Sequence, residues 1–237
     1  MKIGLLFCLI LIMGCQSSDK PPSLDSIFDQ SLEAIATTEA LQAVESISAL
    51  ADCVSPSGAY TTEVQSYKDD YCYFKQTFSY RPEAFEAVIL DTNTVFQIIP
   101  NSNKIEPLDK NVIAFIKGHE FHELILDIKK RYSSLGNLEK TTFNEKPCYK
   151  VEAIDFIGDP CELYFDESSK RMEGISFQNP GNIEEIITIT FSDWQKIDDI
   201  LLPDKVHIDQ SGKIFTFDYK EVLINSPTFQ KKATQSN

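Results

Sequence analysis

The stretch GHEFHEL, Gly118 to Leu124, sets His119 and His122 three residues apart, each followed directly by a glutamate, in a chain with three histidines in all. On a helix, imidazoles at i and i+3 share a face and can reach one metal ion. Glu120 or Glu123 could complete a tetrahedron if the remaining histidine, His207, came close. The spacing H-E-F-H is not the H-E-x-x-H of zinc proteases, and two neutral imidazoles alone do not make a site. The segment LDKNVIAFIKGHEFHELILDIKKRY, Leu108 to Tyr132, reads as helical, with Ile113, Ile116, Phe121, Leu124 and Ile128 on one apolar stripe. His119 and His122 fall away from that stripe, beside Phe115 and Leu126. Packing against a sheet and hydrogen bonding to backbone or carboxylates is the plainer role for them. No catalytic residue, metal or cofactor is expected, and a metal-dependent hydrolase on His119, His122 and His207 is the least supported function. The sequence has no G-x-S-x-G, Walker loop or dinucleotide fingerprint, and only nine glycines.

Compartment is set by the first residues. MKIGLLFCLILIMGC carries one lysine, then an apolar run too short to span a bilayer as a permanent helix, which reads as a secretory signal over 1–14. Its end, IMGC, resembles the lipobox of bacterial lipoproteins, which implies cleavage before Cys15 and acylation of that cysteine. Several acyl chains anchor stably where one does not. Residues 15–22 then form a lipidated polar tether. Gln16 stands where an aspartate resembles an inner-membrane retention signal, so the resemblance implies an outer-membrane address in the cell envelope.

The chain carries a formal charge of −14, which becomes −15 once Lys2 leaves with the signal. Such a surface repels nucleic acid and anionic bilayers, so neither is a partner through charge. The hydrophobic fraction of 42% and aromatic fraction of 11% support a folded domain with a sizeable core. Besides Cys15, the mature chain holds Cys53, Cys72, Cys148 and Cys161. Export to an oxidising compartment predicts two disulfides. Local pairing, Cys53–Cys72 and Cys148–Cys161, is the expectation, since each pair brackets one turn region.

Ser23 to Leu50 reads as one kinked helix or two, with Leu24, Ile27, Phe28, Leu32 and Ile35, then Leu41, Val44 and Ile47, at helical spacing. Most of the remaining chain reads as strand. GAYTTEVQSY, YCYFKQTFSY, AFEAVIL and TVFQII precede the helical interlude; LEKTTF, CYKVEAI, CELYF, RMEGISFQ, IEEIITITF, ILLPDKVHI and KIFTFDYKEVLI come after it. That is about eleven strands with turn signals between many of them. Ile187, Ile189 and Phe191 alternate with Thr188, Thr190 and Ser192, and Phe215 and Phe217 alternate with Thr216 and Asp218. A sheet with one apolar side must curl or be covered, and the helices can serve as cover.

This pattern resembles the lipoprotein-carrier superfamily of LolA, LolB and the RseB sensor domain. The sharpest local match is ITITFSDWQKIDDILLPDKVHI, in which Asp193, Trp194, Ile197, Asp198, Leu202 and Pro203 stand at matching positions, with Asp199 where a glycine is usual; LYFDESSKRMEGI, with Phe165 and Asp166, is similar too. The resemblance implies an α+β, mostly β fold: a large curved antiparallel sheet, an unclosed barrel of about eleven strands covered by N-terminal and mid-chain helices. A single domain spans 23–230, followed by a polar tail at 231–237. The resemblance further implies a concave apolar cavity, whose lining residues are expected to be Phe74, Phe78, Ile187, Ile189, Phe191, Phe215 and Phe217. The function expected is a non-enzymatic, lipid-anchored envelope protein binding a lipid or lipoprotein acyl chain. The alternative is an interaction or sensor module for another envelope protein, its cavity filled by its own side chains.

Overall fold

Among the described residues, thirteen antiparallel strands pair into one sheet that does not close. The computed structural model describes residues 22–91, 93–99, 104–109, 111–179 and 181–226; the expected signal peptide, Cys15 with most of its tether, and the tail 231–237 lie outside them. Helices α1 (Leu24–Glu33) and α2 (Thr38–Gln42) lead into strands β1 (Ser46–Ser55), β2 (Gly58–Tyr67), β3 (Cys72–Phe78), β4 (Phe85–Asp91), β5 (Thr94–Ile98) and β6 (Ile105–Pro107). The interlude comes next as α3 (Asn111–Gly118), α4 (Phe121–Leu126) and α5 (Ile128–Arg131). Strands β7 (Ser133–Phe143), β8 (Lys146–Ile154), β9 (Pro160–Asp166), β10 (Met172–Asn179), β11 (Asn182–Ile197), β12 (Ile200–Gln210) and β13 (Lys213–Ile224) complete the sheet.

Every neighbour in the sheet is also a neighbour in sequence, with one exception: β1 pairs with β13. Two meanders, β1–β6 and β7–β13, are therefore joined at their first and last strands, and the interlude connects their outer edges. The two extra strands relative to expectation are β1 and β6. Within β1, Ile47, Ala49, Ala51 and Cys53 point inward in strict alternation, so a period of two overrides the helical spacing read through Leu41, Val44 and Ile47. The pairing is clamped by Asn225, whose Oδ1 accepts the backbone N–H groups of Glu45 and Ser46 while its Nδ2 donates to the Ala43 carbonyl.

The side chains on the inner face make one large core with α1, α4 and α5. Ile27, Ile125 and Ile128 are fully buried in it, and Phe28 of α1 meets Phe165 of β9 at 5.9 Å between ring centroids. The interlude is three short helices rather than one, because the chain turns between Gly118 and Phe121 and again at Asp127. Each piece can then aim its own apolar residues at the curved sheet. The strands have a near end, at the turn between β1 and β2, and a far end, at the turns between β9 and β10 and between β11 and β12.

The expected disulfides do not form; all four cysteines are free and buried. Register gives the reason. Cys148 lies opposite Asp166, whereas Cys161 lies opposite Ala153, five residues further along β8. At strand rise that offset is about 17 Å, against a limit of about 7 Å between bridged Cα atoms. Cys53 lies opposite Tyr60 and Cys72 opposite Ser66, six residues apart along β2. Burial pushes the Cys53 thiol up to about 11 and the Cys161 thiol up to about 12, so both stay protonated and behave as small apolar groups.

Gly174 on β10 tests how closely the outer side is packed. A Cβ there would strike the Ile189 carbonyl oxygen and the Phe143 ring, which stacks on Tyr164 at 4.1 Å. Gly174→Ala should lower unfolding stability by about 2 kcal/mol, read from a denaturant melt.

Candidate ligand-binding site

Five of the seven inner-face residues expected at a cavity, Phe78, Ile189, Phe191, Phe215 and Phe217, meet in the main core. Cross-strand register brings them together: Phe217 faces Cys53 and Val206, Val206 faces Phe191, and Ile208 faces both Ile189 and Phe215. Phe74 is separate. It is fully buried in a second cluster with Val64, Ile89, Val95 and Ile116 of α3. Ile187, opposite Phe177, is half-buried and outside both clusters.

The concave face is occupied by the protein itself. Phe191 is 0% and Phe217 1% exposed, and Phe121 of α4 packs on Phe217 at 5.0 Å. The space beside α4 amounts to about 10 Å³, lined by Ser66, His119, Glu120, His122, Glu123 and Tyr219. That is room for about one water. A larger groove of about 430 Å³ lies across β8–β11, where Glu152, Glu162, Tyr164, Ser176, Gln178 and Ile186 contribute to its lining, and it includes none of the seven. Sequence reasoning missed it because its polar lining residues alternate with the apolar ones that carried the strand assignment, and its wall also takes in Ala153, Cys161 and Phe177 from the core side.

Half-buried apolar side chains collect instead toward the near end: Phe78, Phe177, Ile187, Ile208 and Phe215. Around them the hairpin turns and strand ends leave Val54, Phe156, Ile157, Ile183 and Ile214 exposed. Arg81 stacks on Phe78 at 3.6 Å from the ring centroid.

The histidines turn into the core rather than beside it. His122 is 3% exposed, packs on Tyr219 at 4.5 Å and donates from Nε2 to the Pro203 carbonyl at 3.2 Å. Burial pulls its pKa down to about 4, with the backbone hydrogen bond opposing. His119 sits among Phe74, Phe115, Phe121 and Phe217, its Nδ1 bonded to the Phe115 carbonyl at 2.8 Å; burial lowers its pKa too. His119 does lie beside Phe115, as the helical spacing has it, but that spacing misplaces His122, because the helix breaks at Gly118 and the break resets the face that α4 presents. His207 pairs in register with Thr190 and Thr216 on β12, away from the other two. The three do not converge.

Between the histidines lies a buried ion cluster that the sequence did not reveal. Glu120, with a side chain 0% exposed, accepts from Arg131 and from Lys117 Nζ at 3.2 Å. Arg131 Nη1 also donates to the Lys117 carbonyl at 3.3 Å, and Lys117 Nζ to the Asp70 carbonyl at 3.1 Å. The cluster ties α3, α4 and α5 to one another and to the β2–β3 turn. Next to it Glu123 accepts from Ser66 Oγ at 3.2 Å, and burial together with the Glu120 charge lifts its pKa to about 7.

No family profile matches the chain, and no curated protein sequence does. Solved structures do. A LolA superfamily protein of Nitrosomonas europaea superposes with a TM-score of 0.58 at 12% identity, over 86% of this chain and 94% of that one. A putative outer membrane lipoprotein-sorting protein domain of Vibrio parahaemolyticus gives 0.53 at 12%, over 86% and 95%. A DUF1329 family protein of Desulfovibrio piger gives 0.54 at 11%, over 86% and 94%. The chain has a LolA-like fold.

Two measurements test the filled interior and its buried acid. Phe217→Ala should lower stability by about 4 kcal/mol in a denaturant melt, as expected for a filled interior and not for an open cavity wall. Glu123 binds its proton more tightly folded than unfolded, so its contribution is full below about pH 4.5 and is lost as pH rises through about 7. Glu123→Gln should therefore gain melting temperature relative to the parent as pH goes from 5 to 8. His122 acts in the opposite sense, losing stability as pH falls from 6.5 toward 4. The comparison between variant and parent cancels that contribution.

Proposed function

We propose that this is a non-enzymatic protein of the cell envelope, held at the outer membrane through lipidated Cys15, that binds the acyl chain of a lipid or lipoprotein at the near end of its half-barrel. The observation that carries the reading is the group of half-buried apolar residues there, Phe78, Phe177, Ile187, Ile208 and Phe215, facing the same way as the filled core yet left partly uncovered. An acyl chain laid on them buries apolar area on both partners at about 25 cal/mol per Å². The fold shared with lipoprotein-sorting proteins supports the same reading. The ionisable cluster of Lys117, Glu120, Glu123 and Arg131 holds helices together and lies under them, which suits a binding role better than a chemical one.

A second reading has its own observation. The inner face is filled by α1, α4 and α5, which favours a module that recognises another envelope protein with its exposed edges and turns. Titrating the full chain with a fluorescent fatty acid separates the two. Phe215→Asp should weaken binding at least fivefold while leaving the melting temperature within a few degrees, because Phe215 is half-buried. A parent protein that binds no acyl probe would leave the partner-recognition reading standing alone.

A further inference from the structure

At the far end of the sheet, Arg171 and Trp194 sit together, the guanidinium carbon 4.9 Å from the indole centroid. Both carry a buried N–H with no hydrogen-bond partner among the described residues: Arg171 Nε and Trp194 Nε1. Two orphan donors on touching side chains are uncommon in native folds, where buried polar groups find partners. Neighbouring carboxylates do not explain them. Asp166 accepts the backbone N–H groups of Ser168 and Ser169 at 2.9 and 2.5 Å. Glu167 pairs with Lys140 at 3.0 Å, Glu173 with Lys146 at 2.6 Å, Asp193 with Lys205 at 2.5 Å and Asp199 with Lys196 at 3.1 Å. Each of these acids has its own donor on at least one oxygen, and Glu173 Oε1 is left buried without a partner among the described residues, like the two N–H groups. Arg171 pairs with no carboxylate among the described residues, although the chain has 36 acidic against 22 basic side chains.

We propose that Arg171 and Trp194 form a binding site for the oxyanion group, carboxylate or phosphate, of a small amphiphile. The Nε–H and adjacent Nη–H of an arginine make two parallel donors matched to two oxygens of one anion, and the indole N–H supplies a third. The stacked indole holds the guanidinium plane in place. Ile197 and Leu201, half-buried against the main core as Trp194 is, offer an apolar surface for the rest of the ligand. The site lies at the opposite end of the strands from Phe215 and does not depend on the acyl reading there. It gives Trp194, the residue at the centre of the D-W-x-K-I-D-D-I-L-L-P segment, a role besides packing.

Trp194 is the only tryptophan in the chain, so its emission reports on the site directly. The full chain, in a nonionic detergent, would be titrated with octanoate, acetate, inorganic phosphate and, as an uncharged control, 1-octanol. Octanoate should change the emission saturably, with an affinity at least tenfold above that of acetate or phosphate. Arg171→Met should abolish the saturable change, and Arg171→Lys, which keeps the charge but not the planar fork, should weaken it at least tenfold. Thermal melts and far-ultraviolet circular dichroism matching those of the parent would show that Arg171→Met and Arg171→Lys are folded. Three results would overturn the proposal: no saturable response to any anion, an equal response in Arg171→Met, or octanol acting as well as octanoate. Equal affinity for free phosphate or acetate would overturn the amphiphile and leave a simple anion site.

Discussion

The antiparallel pairing of β1 with β13 is the constraint on which the rest of this fold depends. Without it the chain is two meanders, each with an apolar face and nothing to hold the faces toward each other. With it, the inner sides of both meanders become one continuous concave surface, and the residues at its centre, Cys53, Phe217, Val206 and Phe191, align across four strands. Asn225 reinforces the pairing where it begins, joining the last strand to the loop before the first with three hydrogen bonds. The interlude then closes the circuit along the chain by linking β6 to β7.

A concave apolar surface of this kind cannot stay exposed to water, and here the protein covers it with its own helices. Three short helices do this better than one, because each can tilt to follow the curvature. The break that permits the tilt also leaves backbone and charged groups inside, and the Glu120–Arg131–Lys117 cluster satisfies them. Removing one member of such a cluster leaves an uncompensated buried charge, which is more damaging than the pairing is stabilising. The interior is thus ordered by a few polar contacts as much as by its phenylalanines.

How much of the fold is legible in the sequence depends on which signals are local. Period-two alternation is local, so β2 is readable end to end, and β11 and β13 show their inner faces correctly through Ile187, Ile189, Phe191, Phe215 and Phe217. β1 reads in part as helix because Leu41, Val44 and Ile47 fit a helical spacing; what makes it a strand is a partner more than 150 residues away in sequence. The cysteine pairing fails for a related reason, since proximity in sequence across a hairpin says nothing of register along it. The overall fold is recognisable from the order of elements. The filled interior is not, because the same apolar faces serve equally to line a cavity or to pack against a helix. The Glu120 cluster and the orphan donors of Arg171 and Trp194 depend on geometry that no spacing encodes.

The two free margins of the sheet differ in how they meet solvent. β6 is only three residues long. β7 runs for eleven, but Leu135, Gly136 and Asn137 stand against a single residue of β8, so its ladder is interrupted near its start. An unclosed sheet of this width offers two templates onto which a second copy could stack strand by strand, the route to aggregation. A short margin and a kinked one both shorten the run of backbone such stacking requires. An open barrel can in this way persist at high concentration as separate molecules, keeping its curvature without the protection that closure would give.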